Sequence, residues 1–204
     1  MRIGIIGSGN MGAAFAVRFS EAGHEVAVAN SRGPESLNGL VEETGGRARA
    51  ATVEEASAFG DVVFLTVPYK AAGETLERGS PWDGRILVDV TNYYEQRDGV
   101  ALVPPVEGSS TVVATNAPGA RVVKAFNTIY FRHLRGDGAM GGRGRRAIPI
   151  AGDDEEAKRV VAELVDELGF EPVDLGDLED GVLQEPGHPI YNQALTAEEL
   201  RARL

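Results

Sequence analysis

Ile3-Gly4-Ile5-Ile6-Gly7-Ser8-Gly9-Asn10-Met11-Gly12 is the stretch that decides the fold. A short run rich in β-branched residues, Arg2 to Ile6, ends in Gly-Ser-Gly. From Asn10 to Ala22 the apolar residues then recur at helical spacing until Gly23 stops them. That is a strand, a turn and a helix, and Glu25 to Ala29 supplies a second strand, completing a βαβ unit of roughly thirty residues. In this context G-x-G-x-x-G has a physical meaning. Gly7 allows the tight turn, Gly9 lets the main chain approach a pyrophosphate, and Gly12 lets helix and strand pack closely. The amides of the first helical turn are the phosphate donors. The candidate dinucleotide-binding residues are therefore Gly7, Ser8, Gly9, Asn10, Met11 and Gly12.

Working outward, the alternation of strand and helix persists. A helix is expected from Pro34, a strand near Arg47 to Ala50, a helix capped by Thr52 with Glu55 behind it, and a strand from Asp61 to Val67. Next come a helix to about Arg78, a strand Ile86 to Val90, a Pro-rich stretch, a helix Ser109 to Asn116, and a strand Arg121 to Ala125. Asn127 to Arg146 is Gly- and Arg-rich and is expected to edge a pocket. A last βαβ-like unit spans Ala147 to Asp174, followed by a loop and a terminal helix. The fold class expected is α/β, a Rossmann-type doubly wound parallel sheet with a small C-terminal βα extension. Its division is 1–146 for the nucleotide-binding domain and 147–204 for an extension and tail packed with it as one unit.

Composition narrows the functions. Of 204 residues, 43 % are hydrophobic and 25 % charged, the usage of an ordinary globular chain. The absence of cysteine removes disulfides, thiolate metal sites and thiol nucleophiles together, and fits a cytoplasmic location. There is no apolar run long enough to span a membrane and no export segment is expected. With 31 acidic against 20 basic residues the net charge is −11, so nucleic acid is not expected as a partner. A dinucleotide, also anionic, has to be held by local donors.

The second strand ends in Asn30-Ser31-Arg32, where an NAD-binding chain places a carboxylate for the ribose 2′-OH. Here the Ser31 hydroxyl and the Arg32 guanidinium can donate to a 2′-phosphate, each bond worth about 1.5–3 kcal/mol. Asn30, Ser31 and Arg32 thus point to NADP rather than NAD.

Taken with Thr66-Val67-Pro68, Asp89-Val90-Thr91-Asn92 and Val123-Lys124-Ala125-Phe126-Asn127-Thr128, these motifs give a chain that resembles the NADPH-dependent deazaflavin reductases, the coenzyme F-420:NADP oxidoreductases. The likeness spans roughly residues 1 to 175. It implies NADPH across the carboxyl edge of the sheet, with the nicotinamide near Val67, Pro68, Asn92, Ala125 and Asn127. It also implies direct hydride transfer to a small-molecule acceptor ring with no catalytic acid or base, and a homo-oligomer. The acceptor would be coenzyme F-420 or a flavin. Similar domains form the reductase part of membrane metalloreductases. Asn127 stands where deazaflavin reductases often carry histidine, and the Tyr93 to Asp98 loop is longer than usual, so a flavin, ferric or quinone reductase, or a sensor that binds NADPH without turnover, are the alternatives.

Other residues read differently. β-Hydroxyacid dehydrogenases share the glycine turn but add a large helical domain for which the last fifty or so residues leave no room. Lys124, inside a strand, is expected to be structural rather than catalytic. His24, His133 and His188 are too scattered for a metal triad. Asp153 to Glu156 reads as the acidic first turn of a helix. Arg143, Arg145 and Arg146 are open to two readings, an anion-binding cluster or a solvated one.

Overall fold

A strand apolar at every position, such as Val-Val-Phe-Leu over residues 62–65, is satisfied only between two covering layers, because alternate side chains leave a sheet on opposite faces. The computed structural model, which describes residues 1–136 and 138–204, shows that arrangement. The first half runs β1 (Arg2–Ile6), α1 (Asn10–Glu21), β2 (Glu25–Ala29), α2 (Asn38–Glu43), β3 (Ala48–Ala51), α3 (Val53–Phe59), β4 (Val62–Leu65), α4 (Ala72–Glu77) and β5 (Ile86–Asp89). It continues through α5 (Glu95–Asp98), α6 (Ser109–Asn116), β6 (Arg121–Ala125), α7 (Phe131–Leu134), β7 (Ala147–Gly152), α8 (Glu155–Glu167), β8 (Glu171–Asp174) and α9 (Ala197–Arg201). Tight 3₁₀ turns at Pro34–Leu37, Tyr69–Ala71, Val100–Leu102 and Leu178–Gln184 join several of these.

The described strands form one sheet in the order β3-β2-β1-β4-β5-β6-β7-β8. Ile3 and Ile5 face one layer, where Phe15 and Phe19 of α1 meet Val161, Leu164 and Val165 of α8. Ile6, Val63 and Leu65 face the other, closed by Ala56 of α3, Leu76 of α4 and Val113 of α6. A third cluster, Ala147, Val173, Ile190, Leu195 and Leu200, ties the C-terminal tail to the β7–β8 edge. Strand order reverses beside β1: the chain leaves it toward β2 and β3, then returns to β4 on its other side. That switch point opens a crevice at the carboxyl ends of β1 and β4, where this architecture binds ligands.

One expectation is corrected. The first six strands are parallel, but β7 pairs antiparallel with β6, with Lys124 opposite Ala151, and β8 is parallel to β7. A parallel neighbour needs a crossover that carries the chain back to the starting edge, usually a helix laid across the sheet. Among the described residues between β6 and β7 the one helix is the single-turn α7, so the chain re-enters from the edge where β6 ended. β4 also stops at Leu65, short of Val67. The Thr66 hydroxyl sits close to the carbonyls of Ile6 (3.1 Å) and Gly7 (2.9 Å), stapling the end of β4 to the glycine turn.

Candidate functional site

The glycine turn divides its work among three residues. Gly7 has φ +114°, a conformation that L side chains rarely adopt. A Cβ at Gly12 would overlap the Gly7 carbonyl oxygen, so Gly12 is what lets α1 sit against β1. Gly9, the N-cap of α1, differs from both: φ −70° and ψ −170° suit any residue, and a Cβ there meets no protein atom within 4 Å. It faces open space, not packing. No side chain caps α1, and its first bond beyond the turn runs from the Ala13 N–H to the Gly9 carbonyl. The amides before Ala13 in that turn have no intrahelical acceptor and are free for an anion.

Beside this turn lies a cavity of about 250 Å³ walled by Gly7, Ser8, Gly9, Asn30, Ser31 and Arg32 on one side and by Val67, Pro68, Ala71, Thr75 and Arg78 on the other. Asn30 builds its rim. Its Nδ2 donates to Ser8 Oγ and Ser36 Oγ, both at 2.9 Å, and its Oδ1 accepts the Arg32 amide at 2.9 Å. A buried amide thereby links the glycine turn to the loop after β2 and fixes where Ser31 and Arg32 start. The Arg32 guanidinium is exposed and has no hydrogen bond or ion pair among the described residues, although acids are in excess.

A second cavity, of about 420 Å³, shares Gly9, Thr66, Val67 and Pro68 with the first, so the two make one groove over the carboxyl ends of β1 and β4. Asn10 and Met11 line it from α1, Asn92 and Tyr94 from the β5–α5 loop, and Arg97 from α5. Asn127, Tyr130 and Phe131 come from the segment after β6, and Tyr191 and Asn192 from the tail. Phe126, at φ 62°, turns the chain out of β6. Its ring is wedged edge-on to Phe15 at 5.1 Å, so core packing holds a backbone strain that sends Asn127 toward the groove. Asn127 Nδ2 donates to Asn92 Oδ1 (3.0 Å) and to the Gln184 carbonyl (2.7 Å), while Asn92 Nδ2 donates to the Asn127 carbonyl (2.9 Å). Asn127 Oδ1 and Thr91 Oγ1, both buried in residues that line this cavity, have no hydrogen-bond partner among the described residues. Unsatisfied polar atoms at such a wall suit a ligand carrying a carboxamide and hydroxyls.

The outer wall is aromatic. The Tyr94 and Tyr191 hydroxyls hydrogen-bond to each other, and burial, then Tyr94, push the Tyr191 phenol up. The Arg97 guanidinium lies 5.0 Å from the centre of the Tyr94 ring and pairs with Asp98 at 2.9 and 2.8 Å. Burial alone would raise the Asp98 carboxyl, but Arg97 and the Tyr94 and Lys70 amides hold it below the usual range. Among the described residues lining this cavity there is no Asp, Glu, His or Lys.

Of the residues picked from sequence, Gly7, Ser8, Gly9, Asn10, Met11, Asn30, Ser31, Arg32, Val67, Pro68, Asn92 and Asn127 line the groove, and Gly12 lies beneath it. Ala125 does not reach the groove. It shares the strand face of Val123 and is sealed into the α1–α8 layer. Lys124, of opposite parity, is fully buried and bonds Asp89 Oδ2, Ser109 Oγ and the Thr91 carbonyl, each at 3.1 Å. Arg143 and Arg145 pair with Glu199 and Asp166, and Arg146 is buried against the carbonyls of Thr128 and Gln193. These three are engaged by the protein itself. Asp154 caps α8 through the Ala157 amide, as its helix-start position implies. Tyr130 and Phe131 lie in the Gly- and Arg-rich segment expected to edge a pocket, and they do line it, though neither was singled out by residue. Arg78, Tyr191 and Asn192 were not foreseen.

Comparison with known proteins agrees with this geometry. Residues 2–93 match the family model described as NADP oxidoreductase coenzyme F420-dependent. The F420-dependent NADP reductase of Methanothermobacter thermautotrophicus is 32 % identical over 207 residues, covering 93 % of this chain and 87 % of that protein. The chain belongs to this family. As a member it is an NADP-dependent oxidoreductase. The rat metalloreductase STEAP3 is 33 % identical over 178 residues, which is 87 % of this chain but 34 % of that protein, so the chain spans about a third of that relative. A solved structure of a hypothetical protein from Sinorhizobium meliloti superposes with a TM-score of 0.83 at 38 % identity, covering 96 % of this chain and 95 % of that one. Among the described residues no helix is long and apolar enough to cross a membrane.

Proposed function

We propose that this family member moves a hydride directly between NADPH and a planar ring acceptor, coenzyme F-420 or a related deazaflavin or flavin. The observation that carries the reading is one groove with two unlike ends. At one end an uncapped helix start and an unpaired Arg32 supply donors for phosphate. At the other, unsatisfied Thr91 and Asn127 oxygens and an aromatic wall of Tyr94, Tyr130, Phe131 and Tyr191 supply a bed for flat rings.

In this reading the first-turn amides of α1 hold the pyrophosphate, and Ser31 and Arg32 hold the 2′-phosphate. Thr91, Asn92 and Asn127 orient the carboxamide end, while Val67 and Pro68 exclude water from one face of the ring. When bound, NADPH supplies the hydride. The chain supplies proximity and orientation, effects that can account for several kcal/mol of barrier. With no carboxylate, imidazole or lysine among the described residues of that wall, these offer no general acid or base apart from phenols and an arginine. Likeness to one third of rat STEAP3 gives ferric reduction as a second reading.

Loss of NADPH absorbance on mixing with a deazaflavin, FMN, a quinone and a ferric chelate tests this. Rapid bleaching with the deazaflavin alone, or with the ring acceptors together, supports it. Bleaching only with the ferric chelate favours the second reading, and bleaching with none makes the protein a nucleotide sensor.

A further inference from the structure

We propose that Arg78 is a second guanidinium for the 2′-phosphate, closing on it from α4 opposite Arg32, so that nucleotide selectivity is shared by two elements of the fold. This rests on the NADPH reading above and adds to it a residue that no sequence motif marks.

The first observation is placement. Ala71, Thr75 and Arg78 are spaced four and three residues apart, a single helical face, and all three wall the smaller cavity. β2 and β4 flank β1 in the sheet, so Arg32, after β2, and Arg78, after β4, approach the cavity beside the glycine turn from opposite sides. Neither is held by the local backbone. Arg78 ends α4 as its C-cap, and Arg32 sits in the loop that Asn30 braces.

The second observation is what Arg78 does not do. In a chain of net charge −11 several surface guanidinium groups find acids: Arg135 takes Glu43, Arg145 takes Asp166, and Arg159 takes Glu156 and Glu163. Others, such as Arg47 and Arg201, form no ion pair among the described residues, and what sets Arg78 apart from them is that it lines one cavity together with Arg32. Arg78 has Glu74 four residues earlier, in register for a helical ion pair, and no such pair forms. Among the described residues Arg78 has no hydrogen bond or ion pair, and the same holds for Arg32. Two unpaired cations on facing walls of one cavity repel each other until an anion lies between them. A phosphate monoester with close to two negative charges is the part of NADPH that can bridge them, since the pyrophosphate belongs to the α1 turn.

A cation at a helix C-terminus also interacts favourably with the helix dipole, and that role alone would leave ligand affinity untouched. Titration calorimetry with the full chain separates the two. The probes are NADPH, NADH, 2′,5′-ADP and 5′-AMP, against wild type, Arg78→Ala, Arg78→Lys and Arg32→Ala. Because Arg78 is exposed, both of its variants should melt as wild type does. Arg78→Ala is expected to weaken NADPH and 2′,5′-ADP by about tenfold to a hundredfold, the loss of one charge-assisted bond, and to leave NADH and 5′-AMP within about twofold. Arg78→Lys, which keeps the charge but not the planar fork, should recover part of the loss. Equal weakening of NADPH and NADH would make Arg78 an adenine contact, and unchanged affinity would make it a helix-end charge; either overturns the proposal. If Arg32→Ala loses 2′,5′-ADP while Arg78→Ala does not, only Arg78 is misassigned. If wild type itself fails to prefer 2′,5′-ADP over 5′-AMP, the nucleotide reading falls and this proposal falls with it.

Discussion

Replacing Gly9 by valine should separate ligand binding from folding, and the structure gives the size of each effect. The backbone at Gly9 (φ −70°, ψ −170°) is open to any residue, and the new Cβ meets nothing within 4 Å. Two small terms act on stability. Losing glycine at a helix N-cap costs roughly 0.5–1 kcal/mol, and restricting the unfolded chain returns about 0.4–1 kcal/mol. They nearly cancel, and a residual of at most about 0.5 kcal/mol moves the melting temperature of a fold this size by no more than about 1–2 °C. Binding is different. The valine methyls enter the space beside the uncapped first turn, and displacing a pyrophosphate from two amides costs about 3–6 kcal/mol, two to four decades in Kd. Gly12→Ala is the contrasting control, because its methyl overlaps the Gly7 carbonyl and forces the helix off the strand; its melting temperature should fall clearly. Calorimetric NADPH titration and thermal melting of both variants provide the test. If Gly9→Val keeps micromolar affinity, the phosphates do not lie over this turn. If it melts as low as Gly12→Ala, Gly9 is a packing residue.

Further outcomes follow from the same geometry. Arg32→Ala should lower NADPH affinity at least about tenfold and leave NADH nearly unchanged; equal loss of both in a binding titration would remove Arg32 as phosphate reader. Lys124→Met strips the cation from a sealed cluster that also includes Glu185 at 3.7 Å, leaving Asp89 uncompensated, and should cost about 3–5 kcal/mol in denaturant unfolding. A loss below about 1 kcal/mol would show that the cluster is not held by that charge. Asp98 gives a pH signature. Its carboxyl is depressed in the folded protein, so it stabilises above the ordinary carboxylate pKa, and this contribution fades as pH falls through the folded value. The stability gap between wild type and Asp98→Asn should therefore narrow on acidification in melts from neutral pH to about pH 3. A gap independent of pH would mean that the Asp98 charge is not what orders the loop.

Sequence carried the parts of this structure that are local. β1, β2, β6 and β8 begin and end at the residues read for them from the sequence, and the Thr52–Glu55 capping box forms as written. The glycine turn was legible because each glycine answers a different local demand. Strand direction was not, since an apolar run such as Ala147 to Ala151 reads the same either way and only the missing crossover helix decides it. Ala125 was placed at the groove by resemblance, whereas strand parity puts it in the core. The outer wall was illegible for another reason: Tyr94 and Tyr191 meet only because the tail folds back over the β5–α5 loop, a tertiary event without periodicity. Arg78 looked like the end of a helix because its significance lies in the partner it lacks.

The most direct test of the central claim is a crystal structure of the protein soaked with NADP⁺. The account predicts pyrophosphate oxygens within hydrogen-bond distance of the first-turn amides of α1, the 2′-phosphate beside Ser31 and Arg32, and the nicotinamide between Pro68 and Asn127. Nucleotide bound away from the Gly7–Gly12 turn, or no density for it at saturating concentration, would contradict it.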